Sequence, residues 1–67
     1  MKIWVIVNNM AGCMAYRDFN TGFSEFLRRA RENNDAKIDH RSSWYSQIWV
    51  FTDVDGIDWY FEEIEVN

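Results

Sequence analysis

The 67-residue sequence contains no proline, a single cysteine and three glycines. One cysteine cannot form an internal disulfide, which excludes the disulfide-stabilised folds common among small secreted proteins. No apolar run approaches the roughly 18 residues that a transmembrane helix requires. The apolar run that begins at Ile3 ends before Asn8, which is too short for the core of a secretory signal peptide. We therefore expect a cytoplasmic location.

What the chain does contain is apolar and acidic residues. Apolar residues make up 48% of the sequence, which is too much for a disordered protein. The length allows one domain, residues 1–67, with a small core. Eleven acidic and seven basic residues give a net charge of −4. Such a charge repels nucleic acid and attracts basic protein surfaces.

The first half of the chain predicts one clear strand and two ambiguous segments. Residues 2–8 are rich in β-branched residues and apolar on both faces, which is typical of a strand inside a sheet. Residues 9–12 predict a turn, and residues 13–19 are ambiguous between a loop and a second strand. Residues 36–43 are polar and predict a loop, with a short extended piece as the alternative.

A helix is predicted over residues 21–33, with Asn20 or Thr21 as its N-cap. Its apolar stripe follows the helical spacing i, i+3, i+4, i+7 and consists of Phe23, Phe26, Leu27 and Ala30. Three ion pairs at helical spacing are expected on the solvent side: Glu25 with Arg28, Glu25 with Arg29, and Arg28 with Glu32.

The C-terminal third predicts a β-hairpin. Residues 44–54 form one strand and residues 57–66 the other. Asp55–Gly56 forms the turn between them, because Asp-Gly favours the left-handed backbone of a two-residue connection. The apolar residues of the second strand change phase after Phe61, and a β-bulge at Glu62–Glu63 would return them all to one face.

These elements predict an α+β, two-layer fold. One helix packs on a three- or four-stranded, mostly antiparallel sheet, in the order β(β)αββ. We expect the helix to cover the face formed by Ile3, Val5, Val7, Ile48, Val50, Ile57, Trp59 and Phe61. The uncovered face would then carry Trp4, Ile6, Trp49, Phe51 and Tyr60, with Tyr45 near its edge. The alternative is that residues 9–20 or 36–43 fold over this second face and complete an ordinary core.

The acidic residues concentrate at the end of the chain. Residues 53–67 contain six acidic residues and no Lys or Arg. After the predicted bulge, Asp58, Glu62 and Glu65 would share a face with Tyr60. One interpretation is a docking surface for a basic partner, and the other is a solvated strand whose charges prevent aggregation. The predicted partner-binding residues are Trp4, Trp49, Phe51, Tyr60, Asp58, Glu62, Glu63 and Glu65.

No catalytic residue, metal site or cofactor is expected. The segment from Asp53 to Asp58 resembles the start of a calcium loop, but its glycine stands at the fourth position instead of the sixth. Cys13 and His40 are single residues, whereas a zinc site needs three or four ligands. The sequence contains neither a glycine-rich phosphate-binding motif nor a nucleophile elbow. We therefore expect no enzyme activity.

In size and acidic charge the chain is similar to small proteins that bacteriophages and mobile elements encode to block host defence complexes. The resemblance implies a protein-binding inhibitor of the anti-restriction or anti-CRISPR type. It would act in the host cell cytoplasm, on a basic surface that binds nucleic acid. Two alternatives stay open: a homodimeric structural or assembly protein, and a single-stranded nucleic-acid binder whose aromatic residues stack on bases. The negative charge disfavours the last.

Overall fold

A computed structural model of the chain describes residues 1–8, 10, 12–42, 44 and 46–66. Its elements are β1 Lys2–Asn8, β2 Gly12–Tyr16, α1 Phe19–Glu32, β3 Asp39–Ser42, β4 Gln47–Thr52 and β5 Asp58–Glu65. The strands form one antiparallel sheet in the spatial order β2-β1-β5-β4-β3. Tyr45 and part of the predicted turn at 9–12 lie outside the described residues.

The predicted α+β, two-layer class is confirmed, with five strands instead of three or four. The additional strands come from the two ambiguous segments. Residues 13–19 contribute most of β2, and residues 36–43 contribute β3, so these segments form the two edges of the sheet. β1 lies between β2 and β5, which agrees with the prediction that a strand apolar on both faces sits inside the sheet.

The helix begins earlier than predicted, at Phe19, because Asp18 is its N-cap. The Asp18 carboxylate accepts hydrogen bonds from the Thr21 backbone N–H at 2.9 Å and from the Thr21 hydroxyl at 2.8 Å. These bonds favour the ionised carboxylate and lower the pKa of Asp18. The predicted caps, Asn20 and Thr21, instead lie in the first turn.

On the solvent side of the helix, all three predicted ion pairs are present.

The helix covers the sheet face opposite to the predicted one. Phe26 and Ala30 pack with Ile6, Phe51 and Phe61 in the core, and of these three strand residues only Phe61 was expected beneath the helix. Burying this face removes more apolar area from water, because its tryptophan and phenylalanine rings are larger than aliphatic side chains. The residues that were expected beneath the helix but lie on the other side are Ile3, Val5, Val7, Ile48 and Val50.

β5 contains no bulge, and the predicted one near Glu62 is wrong. The pairing of β5 with β1 runs without interruption from Trp59 to Glu65. Ile64 therefore lies on the same face as Glu62, while Glu65 points to the helix side of the sheet. The change of phase after Phe61 reflects a strand that carries apolar residues on both faces, so no extra residue is needed.

Asp53 organises the hairpin between β4 and β5. Its carboxylate accepts hydrogen bonds from the backbone N–H groups of Asp55 and Ile57 and from the indole N–H of Trp59, each at 2.9 Å. The Trp59 bond is the main cause that lowers the pKa of Asp53, and the Ile57 bond is the second. Of the two predicted turn residues, Gly56 alone has a positive φ, 82°. The connection is therefore longer than the predicted two-residue turn.

The helix approaches the sheet very closely at Gly22, which is buried. A Cβ placed on Gly22 would lie 2.7 Å from Cε1 of Phe61 and 3.3 Å from Cβ of Tyr16. The Phe61 ring is itself fully buried and stacks on Trp4 and Phe26. The ring therefore has little freedom to move away. Glycine, which has no Cβ, is needed at position 22 for the helix to pack this closely against the sheet.

Replacing Gly22→Ala should lower the free energy of unfolding by about 1–2 kcal/mol, because overpacking costs more than the gain in helix propensity. Chemical denaturation followed by circular dichroism measures the change. Ser24→Ala, on the exposed side of the same helix, is the matched control and should leave stability unchanged or raise it slightly. Equal or greater stability of Gly22→Ala would contradict the close contact.

Replacing Asp53→Asn should remove a pH-dependent part of the stability. The lowered pKa of Asp53 means that its ionised form stabilises the fold above the ordinary value of 3.8, and this contribution is lost as the pH falls through the folded-state pKa. The wild-type chain should therefore be the more stable at pH 7, and the two unfolding curves should converge on acidification below about pH 4. Asp55→Asn is the control, and parallel pH profiles for wild type and Asp53→Asn would refute the assignment.

Candidate functional site

One face of the sheet has no covering layer in the part of the chain that the structure describes, and we call it the open face. Side chains alternate between the two faces along each strand, so the pairing register identifies its members. They are Ile3, Val5 and Val7 on β1, Cys13 and Ala15 on β2, Asp39 and Arg41 on β3, Ile48, Val50 and Thr52 on β4, and Asp58, Tyr60, Glu62 and Ile64 on β5.

The middle of the open face is aliphatic. Val5 and Val50 are 5% and 6% exposed, although neither belongs to the core cluster beneath the helix. Their neighbours on the central strand β5 are Glu62 and Tyr60, which are half-buried and carry larger side chains. The face therefore consists of two aliphatic strips, on β1 and β4, with the side chains of β5 standing between them.

The open face is also acidic. It carries three acidic residues and one basic residue, Asp39, Asp58, Glu62 and Arg41. Asp58 accepts hydrogen bonds from the Thr52 hydroxyl at 2.6 Å and from the Tyr60 hydroxyl at 3.4 Å. Glu62 forms no ion pair within the described ranges of the chain. Its neighbours on the adjacent strands are the aliphatic residues Val5 and Ile48.

Three predicted partner-binding residues lie beneath the helix. The ring of Trp4 packs on Phe19 with centroids 4.8 Å apart, and that of Trp49 packs on Phe23 at 5.4 Å. Phe51 is 2% exposed. Phe51 therefore belongs to the buried core, and Trp4 and Trp49 are half-buried at its border instead of standing on the uncovered face. By contrast, Asp58, Tyr60 and Glu62 come together on the open face.

Glu63 and Glu65, the remaining predicted site residues, lie on the helix side of β5 near its end. The ammonium group of Lys2 is 3.6 Å from the Glu63 carboxylate, and the N-terminal ammonium of Met1 is 3.2 Å from that of Glu65. A backbone hydrogen bond from Val66 N–H to the Met1 carbonyl, at 2.7 Å, holds the two ends of the chain together. The charges of both glutamates are thus partly neutralised within the chain.

Trp44 was not among the predicted site residues, because the sequence pattern placed it at the start of a strand. Trp44 is 94% exposed and lies in the connection between β3 and β4. The pairing register sets this connection at the same end of the sheet as Met1 and Ile64, which are 70% and 38% exposed. Tryptophan is enriched in binding hot spots. The polar residues Ser46 and Gln47, which separate Trp44 from the apolar run of β4, were the signal that Trp44 lies before the strand.

The described residues contain no group of three or more His, Cys, Asp or Glu side chains placed to hold a metal ion. Nor does their helix have the length and apolar character that a membrane span requires. Comparison with protein-family models, with curated proteins and with solved structures gives no match. The open face must therefore be interpreted from its own chemistry.

Two isoleucines on opposite faces test which side of the sheet forms the core. Ile6 is 1% exposed beneath the helix, whereas Ile64 is 38% exposed on the open face. Ile6→Ala should lower the free energy of unfolding by about 2–5 kcal/mol, and Ile64→Ala by at most about 1 kcal/mol. Urea denaturation of the two variants measures the difference, and equal losses would mean that the open face is covered.

Proposed function

We propose that this chain is a protein-interaction module that binds a basic surface of a partner protein through its open face. The observation that supports the proposal is a sheet face with an aliphatic centre and a net acidic charge that the helix leaves uncovered. The partly exposed apolar side chains Val7, Ile48, Tyr60 and Ile64 would supply binding energy when water is excluded. Glu62 and Asp58 would select a basic partner and raise the rate of association.

The class of partner follows from the sign of the charge. Surfaces that bind nucleic acid are rich in Lys and Arg, because they neutralise phosphates. A protein that occupies such a surface prevents the nucleic acid from binding there. We therefore propose an inhibitor of a nucleic-acid-binding defence complex, of the anti-restriction or anti-CRISPR type that phages encode.

The open face is small for a protein interface, so we infer that residues at its rim also contact the partner. The face spans roughly 24 Å across its five strands and roughly 20 Å along them. That footprint is smaller than the roughly 800 Å² that each partner buries in a standard protein interface. Trp44, at one end of the sheet and 94% exposed, is the residue best suited to extend the contact.

The two alternatives are less favourable on the same grounds. In a homodimer, a second copy would bring another negatively charged open face to the interface. In a nucleic-acid complex, the same negative charge would repel the phosphates.

We expect a monomer by light scattering at micromolar concentration and no shift of single-stranded DNA or RNA in gels at low salt. A stable dimer or a shifted nucleic acid would favour the homodimer or the nucleic-acid binder, respectively.

Charge reversal on the two faces of β5 tests the proposal. Glu62→Lys places a cation on the open face, whereas Glu65→Lys makes the same change of net charge on the helix side of the same strand. We expect the wild-type chain to inhibit DNA cleavage by at least one complex in a panel of restriction and CRISPR effector complexes. Glu62→Lys should weaken inhibition roughly tenfold or more, and Glu65→Lys about twofold at most.

Thermal melts of both variants provide the folding control, since a loss of inhibition is informative only in a chain that still unfolds cooperatively. Inhibition should also weaken with increasing salt, because the charges act partly through solvent. Absence of inhibition across the panel, or equal effects of the two reversals, would contradict the proposed function.

A further inference from the structure

We infer that the element bound by the open face is a basic amphipathic α-helix of the partner. This inference rests on the proposed function, because it names the structural element that the same face would bind. Three observations support it: the aliphatic floor of the face, its dimensions, and the spacing of its two central carboxylates.

The aliphatic floor favours a partner element whose backbone is already hydrogen-bonded. Val5, Val7, Ile48 and Val50 provide no hydrogen-bond donors or acceptors in their side chains. The backbone groups of β1, β4 and β5, which carry the middle of the face, pair within the sheet plane. An extended peptide lying across this floor would bury unpaired N–H and C=O groups, which is costly. A helix satisfies these groups internally and can present apolar side chains to the floor.

The dimensions of the face also fit one helix. On the opposite face, the 14-residue α1 packs against β1, β2 and β5, and a helix of this length extends about 21 Å. The open face has a similar length, and a helix about 10 Å in diameter would lie over β5 and contact the aliphatic strips on both sides. The added helix would complete a three-layer arrangement with the sheet in the middle.

The spacing of the acidic residues sets the expected charge pattern of that helix. Asp58 and Glu62 are four residues apart on one strand, so their Cα atoms are about 13 Å apart. On a helix, residues seven and eleven positions apart are separated by about 10 and 16 Å, and the long side chains of Lys and Arg cover the difference. The helix should therefore carry basic residues at both ends of a short apolar stripe that contacts Tyr60.

Trp44 provides a spectroscopic signal for this binding. The chain has four tryptophans, and the three others, Trp4, Trp49 and Trp59, are half-buried on the helix side. Because Trp44 is 94% exposed, its fluorescence should shift to shorter wavelength when a ligand covers that end of the sheet. A Trp44→Phe variant would show whether the observed shift originates there.

The test uses three synthetic 14-residue peptides and the full-length chain. The first is helical, with Lys at i and i+11 and Leu between them at i+3, i+4, i+7 and i+8, so that it carries a basic residue at each end of a short apolar stripe. The second has the same charge but two central prolines, which prevent a helix, and the third is the first with Glu in place of Lys. We expect the first peptide to bind at least tenfold more tightly than the others, with a blue shift of Trp44.

Paired variants locate the bound peptide. Glu62→Gln should weaken binding of the basic helix roughly three- to fivefold, whereas Glu65→Gln on the other face should leave it unchanged. Equal effects of the two variants would mean attraction to net charge alone and would overturn the assignment to the open face.

The outcomes separate this inference from the proposed function. If the proline peptide binds as tightly as the helical one and depends on Glu62, the helix inference is wrong and the proposed function stands. If no peptide binds but Glu62→Lys abolishes inhibition of a defence complex, the helix inference again fails alone. If no peptide binds and Glu62→Lys has no effect on inhibition, both are wrong.

Discussion

The aromatic contact between the helix and one face of the sheet determines the rest of the structure. Phe61, on the central strand, is fully buried, and its ring stacks on Trp4 from the sheet and on Phe26 from the helix. Gly22 allows the helix backbone to approach this ring closely. Burial of large aromatic rings contributes the most free energy, so the helix packs on the face that carries them. Among the residues that the structure describes, no second layer then covers the aliphatic side of the same sheet.

The open face is compatible with a stable chain because its apolar side chains are partly protected. The valines are shielded by Tyr60 and Glu62 on the neighbouring strand, so the exposed apolar area is smaller than the number of aliphatic residues suggests. Charges on the central strand and on edge strand β3, where Asp39 and Arg41 lie, oppose aggregation. These features explain why the face tolerates water.

The sequence predicted those parts of the fold that depend on local spacing. The stripe through Phe23, Phe26 and Ala30 identified the helix, and the three ion pairs on its outer side followed from the same period. The fold class followed from one helix among several strands. The N-cap was missed because Phe19 and Asp18 were assigned to the preceding segment, which shifted the predicted start of the helix by two residues.

The choice of face could not be predicted from alternation, because β1, β4 and β5 carry apolar residues on both sides. Size is the main difference between the two sides: Trp4, Trp49 and Phe51 lie on the helix side, whereas most apolar residues of the open face are valine and isoleucine. The predicted bulge assumed that all apolar residues of a strand lie on one face. That assumption fails in this sheet, because both of its faces are apolar. The short strands β2 and β3 gave weak signals because their pairing, more than their composition, makes them strands.

The distribution of acidic residues favours a protein partner over mimicry of a nucleic-acid backbone. Of the six acidic residues near the end of the chain, Asp53 accepts hydrogen bonds within the hairpin, and Asp55 lies exposed in the same connection. Glu63 and Glu65 are paired with Lys2 and the N-terminus. The open face keeps Asp58 and Glu62 from this set, about 13 Å apart with Tyr60 between them. Imitation of successive phosphates would require a continuous line of charge. Two separated carboxylates beside aliphatic side chains instead match a surface on which basic and apolar side chains alternate, as they do on a folded protein.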